Sequence, residues 1–235
     1  MKKTLTIVTL LAGAVGVYAQ GSMEFTDYIG DFNISIYGPG TGTHASTQIN
    51  GSGPTDTPAG TQTGYTAAGS VKIGGSATGT GSAAYGNGSL WTVQLYAANG
   101  SGDAASALLP VSGATANFYT SGGTGTAGWF NVNKIVTIPG TTAGNAATVM
   151  LAAWYSGGGA ASYAAAVAAG VPAGESSTET LGAMGGNQFS PPDLGAASPG
   201  LGTITSFSMT GVPEPSTIGL GIMGASAFLF RRRSK

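Results

Sequence analysis

Hydrophobic and polar residues alternate along several short stretches of the chain, which is the pattern of β-strands with one buried face. In the stretch that begins at Trp91, the alternation also places Val93 and Leu95 on the same side. Residues 147–155 are apolar almost throughout, which predicts a strand buried on both faces. The predicted strands are residues 31–37, 91–96, 115–120, 129–138, 147–155 and 203–210.

Glycine-containing turn signals separate these strands, and one stretch has the features of a short helix. The turn signals include Asn50-Gly51, Asn87-Gly88, Asn99-Gly100, Ser112-Gly113 and Pro139-Gly140. Ser162 is placed to cap a helix over residues 163–169, which Gly170 would end in the left-handed conformation. The pattern predicts an all-β fold, an antiparallel β-sandwich of the jelly-roll kind with one short helix.

Residues 38–70 depart from this pattern, since they are nearly all Gly, Thr, Ser, Pro and Ala. Only Ile49 and Tyr65 are larger apolar residues there. Such a segment can bury little apolar surface to offset the entropy of ordering it. We therefore expect a long loop or an irregular edge over these residues.

Composition excludes several classes of chemistry. The chain has no cysteine and one histidine, which excludes disulfides, thiolate metal sites and multi-histidine metal sites. Eight basic residues among 235 give no electrostatic footprint for nucleic acid. Charged residues make up 7% of the chain, against roughly 25% in typical globular proteins, so the surface is expected to carry little charge.

The few charges are unevenly placed along the chain. Residues 21–212 hold two lysines against eight acidic residues and no arginine, a net charge of −6. Residues 1–20 carry +2 and residues 213–235 carry +3. Positive charge therefore collects at the two ends, where targeting segments carry it.

Residues 1–19 have the three parts of a secretory signal peptide. These are a positively charged start, an apolar run over residues 5–17 and small residues before a cleavage site. We expect signal peptidase to cut between Ala19 and Gln20, which leaves residues 20–211 as the β-sandwich body.

The C-terminus also has three parts. They are the motif Pro213-Glu214-Pro215, an apolar segment over residues 216–230, and a basic tail over residues 231–235 that begins Arg231-Arg232-Arg233. As a helix, the apolar segment would be about 22 Å long, which is short for a hydrocarbon core of roughly 30 Å. It can still span the core if the Val-Pro-Glu-Pro side is drawn into the interface and the arginines snorkel. The arginines belong on the cytoplasmic side of the inner membrane as a membrane stop, so the body is expected outside.

In this order, the three parts closely resemble the PEP-CTERM sorting signal of Gram-negative bacteria, over residues 212–235. The resemblance implies that a membrane-embedded exosortase recognises Pro213, Glu214 and Pro215 and cleaves or transfers the chain near them. It further implies delivery to the cell surface or the extracellular polysaccharide matrix. The alternative is a plain C-terminal membrane anchor. The body resembles, less specifically, the single β-domain that often accompanies this signal, which implies export and architecture rather than chemistry.

Candidate catalytic and metal-binding residues are few. The sequence has no Gly-x-Ser-x-Gly motif that would supply a serine nucleophile for His44 to activate as a general base. We therefore expect His44 to be an exposed loop histidine. The densest acidic group is Glu24, Asp27 and Asp31, for which solvated acids are expected and a single Ca²⁺ site is the alternative. No carboxylate pair is singled out for glycoside hydrolysis. We therefore predict no enzymatic activity, no metal and no cofactor.

Whether the three tryptophans are buried or exposed distinguishes the remaining candidate functions. Trp91, Trp129 and Trp154 each lie in an apolar predicted strand, so we expect them in the core. Two of them exposed on one sheet face would instead indicate a carbohydrate-binding module. The sequence thus predicts an exported structural protein of the cell surface or extracellular matrix, with exopolysaccharide as a candidate partner. The alternatives are a carbohydrate-binding module and, less favoured, a secreted hydrolase.

Overall fold

The computed structural model describes residues 20–26, 28–29, 32–51, 63–74, 85–120, 127–130, 132–186, 190–192, 194 and 204–211. The predicted signal peptide (residues 1–19) and the predicted sorting segment (residues 212–235) lie outside these described residues. Within them the protein is mostly antiparallel β-structure. The prediction of an all-β fold is confirmed.

The elements below are numbered in chain order. The strands are β1 (Gln20–Phe25), β2 (Tyr28–Ile29), β3 (Phe32–Asn33), β4 (Ile36–Tyr37), β5 (Trp91–Asn99), β6 (Leu109–Asn117), β7 (Lys134–Thr142), β8 (Ala147–Tyr155), β9 (Ala173–Glu175), β10 (Glu179–Leu181) and β11 (Phe207–Ser208). The helices are α1 (Thr63–Ala67) and the predicted helix α2 (Tyr163–Ala169). Short 3₁₀ turns span Gly42–His44, Gly88–Leu90 and Ala105–Ala107.

The larger layer of the fold is a five-stranded antiparallel sheet built around β5 and β8. These two strands pair along their whole length, from Trp91 opposite Tyr155 to Asn99 opposite Ala147. β6 pairs with the other edge of β5, and β9 and β10 both pair with the other edge of β8. The second layer is the antiparallel pair of β1 and β7, in which β7 packs against β5 and β6.

A single apolar core fills the space between the two layers, and the predicted alternation of β5 is confirmed. Trp91, Val93 and Leu95 are buried on the inner side of β5. Each such side chain stabilises the fold by about 1.5–3 kcal/mol. The two-stranded layer contributes Met23, Phe25, Val136 and Ile138 to the same core. Residues 147–154 of β8 are all buried, which confirms a strand covered on both faces.

Two of the predicted turns are β-bulges inside strands. Gln94 pairs with Thr115 but Tyr96 pairs with Pro110, so β6 carries extra residues around Gly113. β7 is bulged in the same way near Gly140, against β1. The two glycines have φ angles of 74° and 77°, a left-handed conformation that lets a strand absorb extra residues and continue.

Two of the predicted strands are shorter than the pattern indicates, and a third is shifted along the chain. In the described parts of residues 31–37 and 203–210, the strands are the two-residue β3, β4 and β11, and β11 runs parallel to β4. The strand predicted over residues 129–138 instead begins at Lys134 and continues to Thr142. Buried serines account for part of this difference. The Ser206 hydroxyl accepts a hydrogen bond of 2.9 Å from the Ser35 N–H, and that of Ser208 accepts one of 2.9 Å from the Ile49 N–H. Side chains thereby satisfy backbone donors that a longer ladder would otherwise bond.

The Gly- and Thr-rich stretch is held to the fold by one aromatic side chain. Tyr65, on α1, is 2% exposed, and its ring stacks parallel on Tyr37 with centroids 4.0 Å apart. Its hydroxyl donates a 2.7 Å hydrogen bond to the Ser206 carbonyl. The described part of residues 38–70 is therefore a loop with a 3₁₀ turn and a short helix, anchored on β4 and the segment before β11.

Two glycines of equal backbone conformation test how tightly the loops pack. Gly74 and Gly102 have φ angles of 76° and 75°. A Cβ at Gly74 would collide with the Tyr119 carbonyl oxygen, whereas one at Gly102 would meet open space. We expect Gly102→Ala to destabilise the protein by about 1–2 kcal/mol, because the left-handed conformation disfavours alanine. Gly74→Ala should cost about 1–3 kcal/mol more, through overpacking. Urea unfolding followed by tryptophan fluorescence measures both, and equal losses would contradict the packing described here.

Candidate ligand-binding site

Most of the sequence-predicted functional residues lie outside the described residues. These are Pro213, Glu214, Pro215, Ala19, Arg231, Arg232 and Arg233, with Asp27 and Asp31 of the acidic group. Gln20 is described, as the exposed first residue of β1. His44 is exposed in a 3₁₀ turn, which confirms a loop histidine. In the part of the chain that the structure describes, no helix has the length and apolar character needed to cross a membrane.

The tryptophans do not form an exposed pair. Trp91 and Trp154 are 1% and 2% exposed, so the prediction that they are core residues is confirmed, and Trp129 is half-buried. Glu24 is half-buried on β1. Among the described residues, no group of three or more His, Asp or Glu side chains is arranged to hold a metal ion.

A different set of residues comes together on the outer face of the five-stranded sheet. Successive side chains of a strand point to opposite faces, so Gln94 and Tyr96 of β5 face away from the core and are partly exposed. Directly paired residues share a face. Gln94 is opposite Ala152 of β8, and Ala152 is opposite Glu175 of β9. Glu175 therefore lies in the same row of the outer face as Gln94.

Helix α2 covers one end of this face because Trp154 and Ser162 fix its position. The Trp154 indole N–H donates a 3.0 Å hydrogen bond to the Ala160 carbonyl, and its ring packs with Ala166 of α2. The Ser162 hydroxyl accepts a 3.2 Å hydrogen bond from the Ala165 N–H, and Gly170 ends the helix with φ 68°. Both predicted helix caps are confirmed. The first helical residue, Tyr163, is thereby held over the sheet.

Tyr163 meets Tyr96 and Glu175 in what we term the tyrosine–carboxylate site, which consists of these three residues. The two rings are arranged edge to face, with centroids 6.3 Å apart and an interplanar angle of 71°. Burial, followed by the negative charge of Glu175 and hydrogen bonding to it, raises the pKa of Tyr163 well above its usual range. Burial and the same negative charge also raise the pKa of Tyr96.

Gln48 holds the backbone of Glu175 in place. Its side-chain amide donates to the Glu175 carbonyl and to Asn50 Oδ1, the second bond being 2.7 Å long. Its oxygen accepts a 3.3 Å hydrogen bond from the Glu175 N–H. On the side away from Gln48, Glu175 pairs with Ala152 of β8. The backbone of Glu175 is thus fixed on both sides, which sets the point on the outer face from which its side chain extends.

The site is anionic and aromatic. Both described partners of Glu175, Gln48 and Tyr163, are uncharged. The two described lysines lie elsewhere, Lys72 with its Nζ 5.8 Å from the ring centroid of Tyr37 and Lys134 at the start of β7. The site can therefore bind a ligand through ring faces, hydroxyl hydrogen bonds and one negative charge.

Tyr96, Tyr163 and Glu175 are not among the site residues predicted from the sequence, where exposure of the tryptophans was the deciding feature. Two signals for the site were present. Tyr96 occupies an outward position in the alternation of β5, and Tyr163 immediately follows the predicted cap Ser162. No local signal pointed to Glu175, since only the pairing of β9 with β8 brings it to the outer face.

Comparisons of the chain with protein-family models, with curated proteins and with solved structures find no match.

The contact between Tyr163 and Glu175 has a measurable electrostatic consequence. Glu175→Gln removes the negative charge that opposes ionisation of the phenol, so we expect the pKa of Tyr163 to fall while burial still holds it above the ordinary value. An NMR titration of the ring Cζ resonance measures the change. Glu179→Gln is the matched control, because Glu179 does not contribute to the raised pKa of Tyr163. An unchanged pKa in Glu175→Gln would show that the two groups do not interact.

Proposed function

We propose that the protein is exported, sorted by exosortase through residues 213–215, and incorporated into the cell surface or extracellular matrix as a non-catalytic structural component associated with exopolysaccharide. The observation that carries this proposal is the order of three parts in residues 213–235: Pro-Glu-Pro, an apolar segment and an arginine cluster. The charged start and apolar run of residues 1–19 support the export step.

Physical chemistry gives each part of the sorting segment a role. Proline disfavours helix in the residue before it, a property that suits the Pro-Glu-Pro motif to recognition by an enzyme that binds an extended chain. The apolar segment partitions into the bilayer, and the arginines oppose its passage across the inner membrane. The body then stands outside until the chain is cut or transferred near Glu214.

The net charge of the processed body determines which polysaccharides it can bind through electrostatic attraction. Once both ends are removed, the body contains two lysines and eight acidic residues. Attraction to an anionic polysaccharide through charge is therefore weak. Contacts with the matrix would rest on hydroxyl and amide hydrogen bonds, on aromatic rings and on positively charged groups of the partner.

A carbohydrate-binding module is the second candidate, and one observation favours it. The tyrosine–carboxylate site supplies aromatic rings and hydrogen-bonding groups on a partly exposed sheet face. The sequence criterion for a carbohydrate-binding module was two exposed tryptophans on one sheet face. Here the two tyrosines of the site supply the aromatic surface instead. The two candidates are compatible, since a matrix protein can bind the polysaccharide that surrounds it.

Replacing the motif tests the sorting proposal. In a variant with Pro213, Glu214 and Pro215 all changed to alanine, we expect full-length protein to accumulate in the inner membrane, because the sorting enzyme loses its recognition element. Cell fractionation and immunoblotting measure the distribution. The control changes Ser216 and Thr217 to alanine, next to the motif but outside it, and should leave release normal. Normal release of the triple-alanine variant would overturn the proposal.

The ends of the released protein provide an independent measurement. Mass spectrometry should find Gln20 at the N-terminus and a C-terminus near residues 213–215, because processing at both ends is expected. A released form that retains residues 216–235 would contradict exosortase processing.

A further inference from the structure

We propose that the tyrosine–carboxylate site binds a saccharide that carries a protonated primary amine, such as a hexosamine unit of a polysaccharide. The proposal specifies the ligand for the matrix association in the proposed function, and it rests on that function for the place where protein and polysaccharide come into contact. The binding itself depends only on the geometry of Tyr96, Tyr163 and Glu175.

The aromatic pair is suited to one face of a sugar and to a cation. Both tyrosines are partly buried, so their rings are already fixed and lose little conformational freedom on binding. Their interplanar angle of 71° makes the two rings present differently directed surfaces. The C–H face of a sugar can pack on one ring, and an ammonium group is attracted to the electron-rich face of a tyrosine.

The carboxylate gives the site its preference for an amine. An ionised carboxylate accepts about four hydrogen bonds, and strand pairing places Glu175 on the same sheet face as Tyr96. Gln48 and β8 fix the Glu175 backbone, so the side chain that carries the negative charge extends from a fixed point on this face. A ligand ammonium would donate a charge-assisted hydrogen bond to the carboxylate, which is roughly twice as strong as a neutral one.

Charge also argues against the other classes of saccharide. A uronic acid or a sulfated sugar would meet the Glu175 carboxylate and a body of net charge −6, and like charges repel. A neutral sugar could pack on the rings but would not use the carboxylate charge. An amine-bearing sugar combines the ring contact with the charge, so it fits all three residues of the site.

The row of the sheet that contains Glu175 extends the polar surface beyond the carboxylate. Gln94 lies in the same row as Glu175, two strands away, and Thr115 of β6 is opposite Gln94. Neighbouring strands are about 4.8 Å apart, so the row from Glu175 to Thr115 spans roughly 14 Å. Gln94 is partly exposed and Thr115 is exposed. Their amide and hydroxyl can bond the hydroxyl groups of adjoining sugar units.

The test is a binding titration of the full chain, purified in detergent micelles, with three hexamers of the same linkage and different amine chemistry. They are a fully deacetylated glucosamine hexamer, its N-acetylated counterpart and a glucose hexamer. At a pH that protonates the amine, we expect the deacetylated hexamer to bind at least about tenfold more tightly than the other two, the effect of one charge-assisted hydrogen bond. Isothermal titration calorimetry measures the affinities.

Variants assign the binding to the site. Glu175→Gln keeps the shape and should reduce affinity for the deacetylated hexamer about tenfold or more. Glu179→Gln removes an equal charge on β10 and should leave affinity unchanged. Tyr96→Ala should weaken the binding of all three hexamers, since it removes ring surface. The circular dichroism spectrum and melting temperature of each variant confirm that it is folded.

Four results would overturn the proposal. They are no binding of the deacetylated hexamer, equal affinity for all three hexamers, unchanged affinity in Glu175→Gln, and equal affinity for a lysine oligomer, which would indicate a general response to cations. None of these results bears on sorting, because that proposal is measured by membrane retention of the Pro-Glu-Pro variant. Failure of sugar binding and failure of sorting are thereby distinguishable.

Discussion

The pairing of β5 with β8 is the constraint on which the rest of the structure depends. The two strands hold each other along nine residue pairs, and β8 is apolar on both faces. A strand with two apolar faces requires cover on both sides. The layer of β1 and β7 covers one side, and α2 with its flanking loop covers part of the other. The tyrosine–carboxylate site lies at the start of that second cover, where Tyr163 begins α2.

Local pattern predicted the elements that local physics determines. The alternation of β5, the double burial of β8 and the Ser162 and Gly170 caps of α2 all depend on residues close together in sequence. The bulges of β6 and β7, the Ser206 hydrogen bond to Ser35 and the pairing of β9 with β8 depend on a partner elsewhere in the chain. Spacing alone could not reveal them. The aromatic half of the candidate site was therefore within reach of sequence reasoning, and its carboxylate was not.

The low-complexity stretch contributes more than its composition indicates. Tyr65 fixes it to Tyr37 by ring stacking, and Gln48 then binds the backbone of Glu175. Two side chains can thus hold a segment that buries little apolar surface, because Tyr65 stacks on β4 and Gln48 bonds to β9. This arrangement joins a part of the chain that was expected to be only a loop to the candidate binding site.

The bulges in β6 and β7 bear on how copies of this protein could be arranged when crowded together. Pro110 and Pro139 lack backbone N–H groups, and Gly113 and Gly140 bend the strands that contain them. A neighbouring copy would find no long, straight ladder on which to add a strand. Growth of a fibril by strand addition is disfavoured at these strands. Assembly of copies through the edges of these two strands is therefore disfavoured, and contacts between copies would have to use other surfaces.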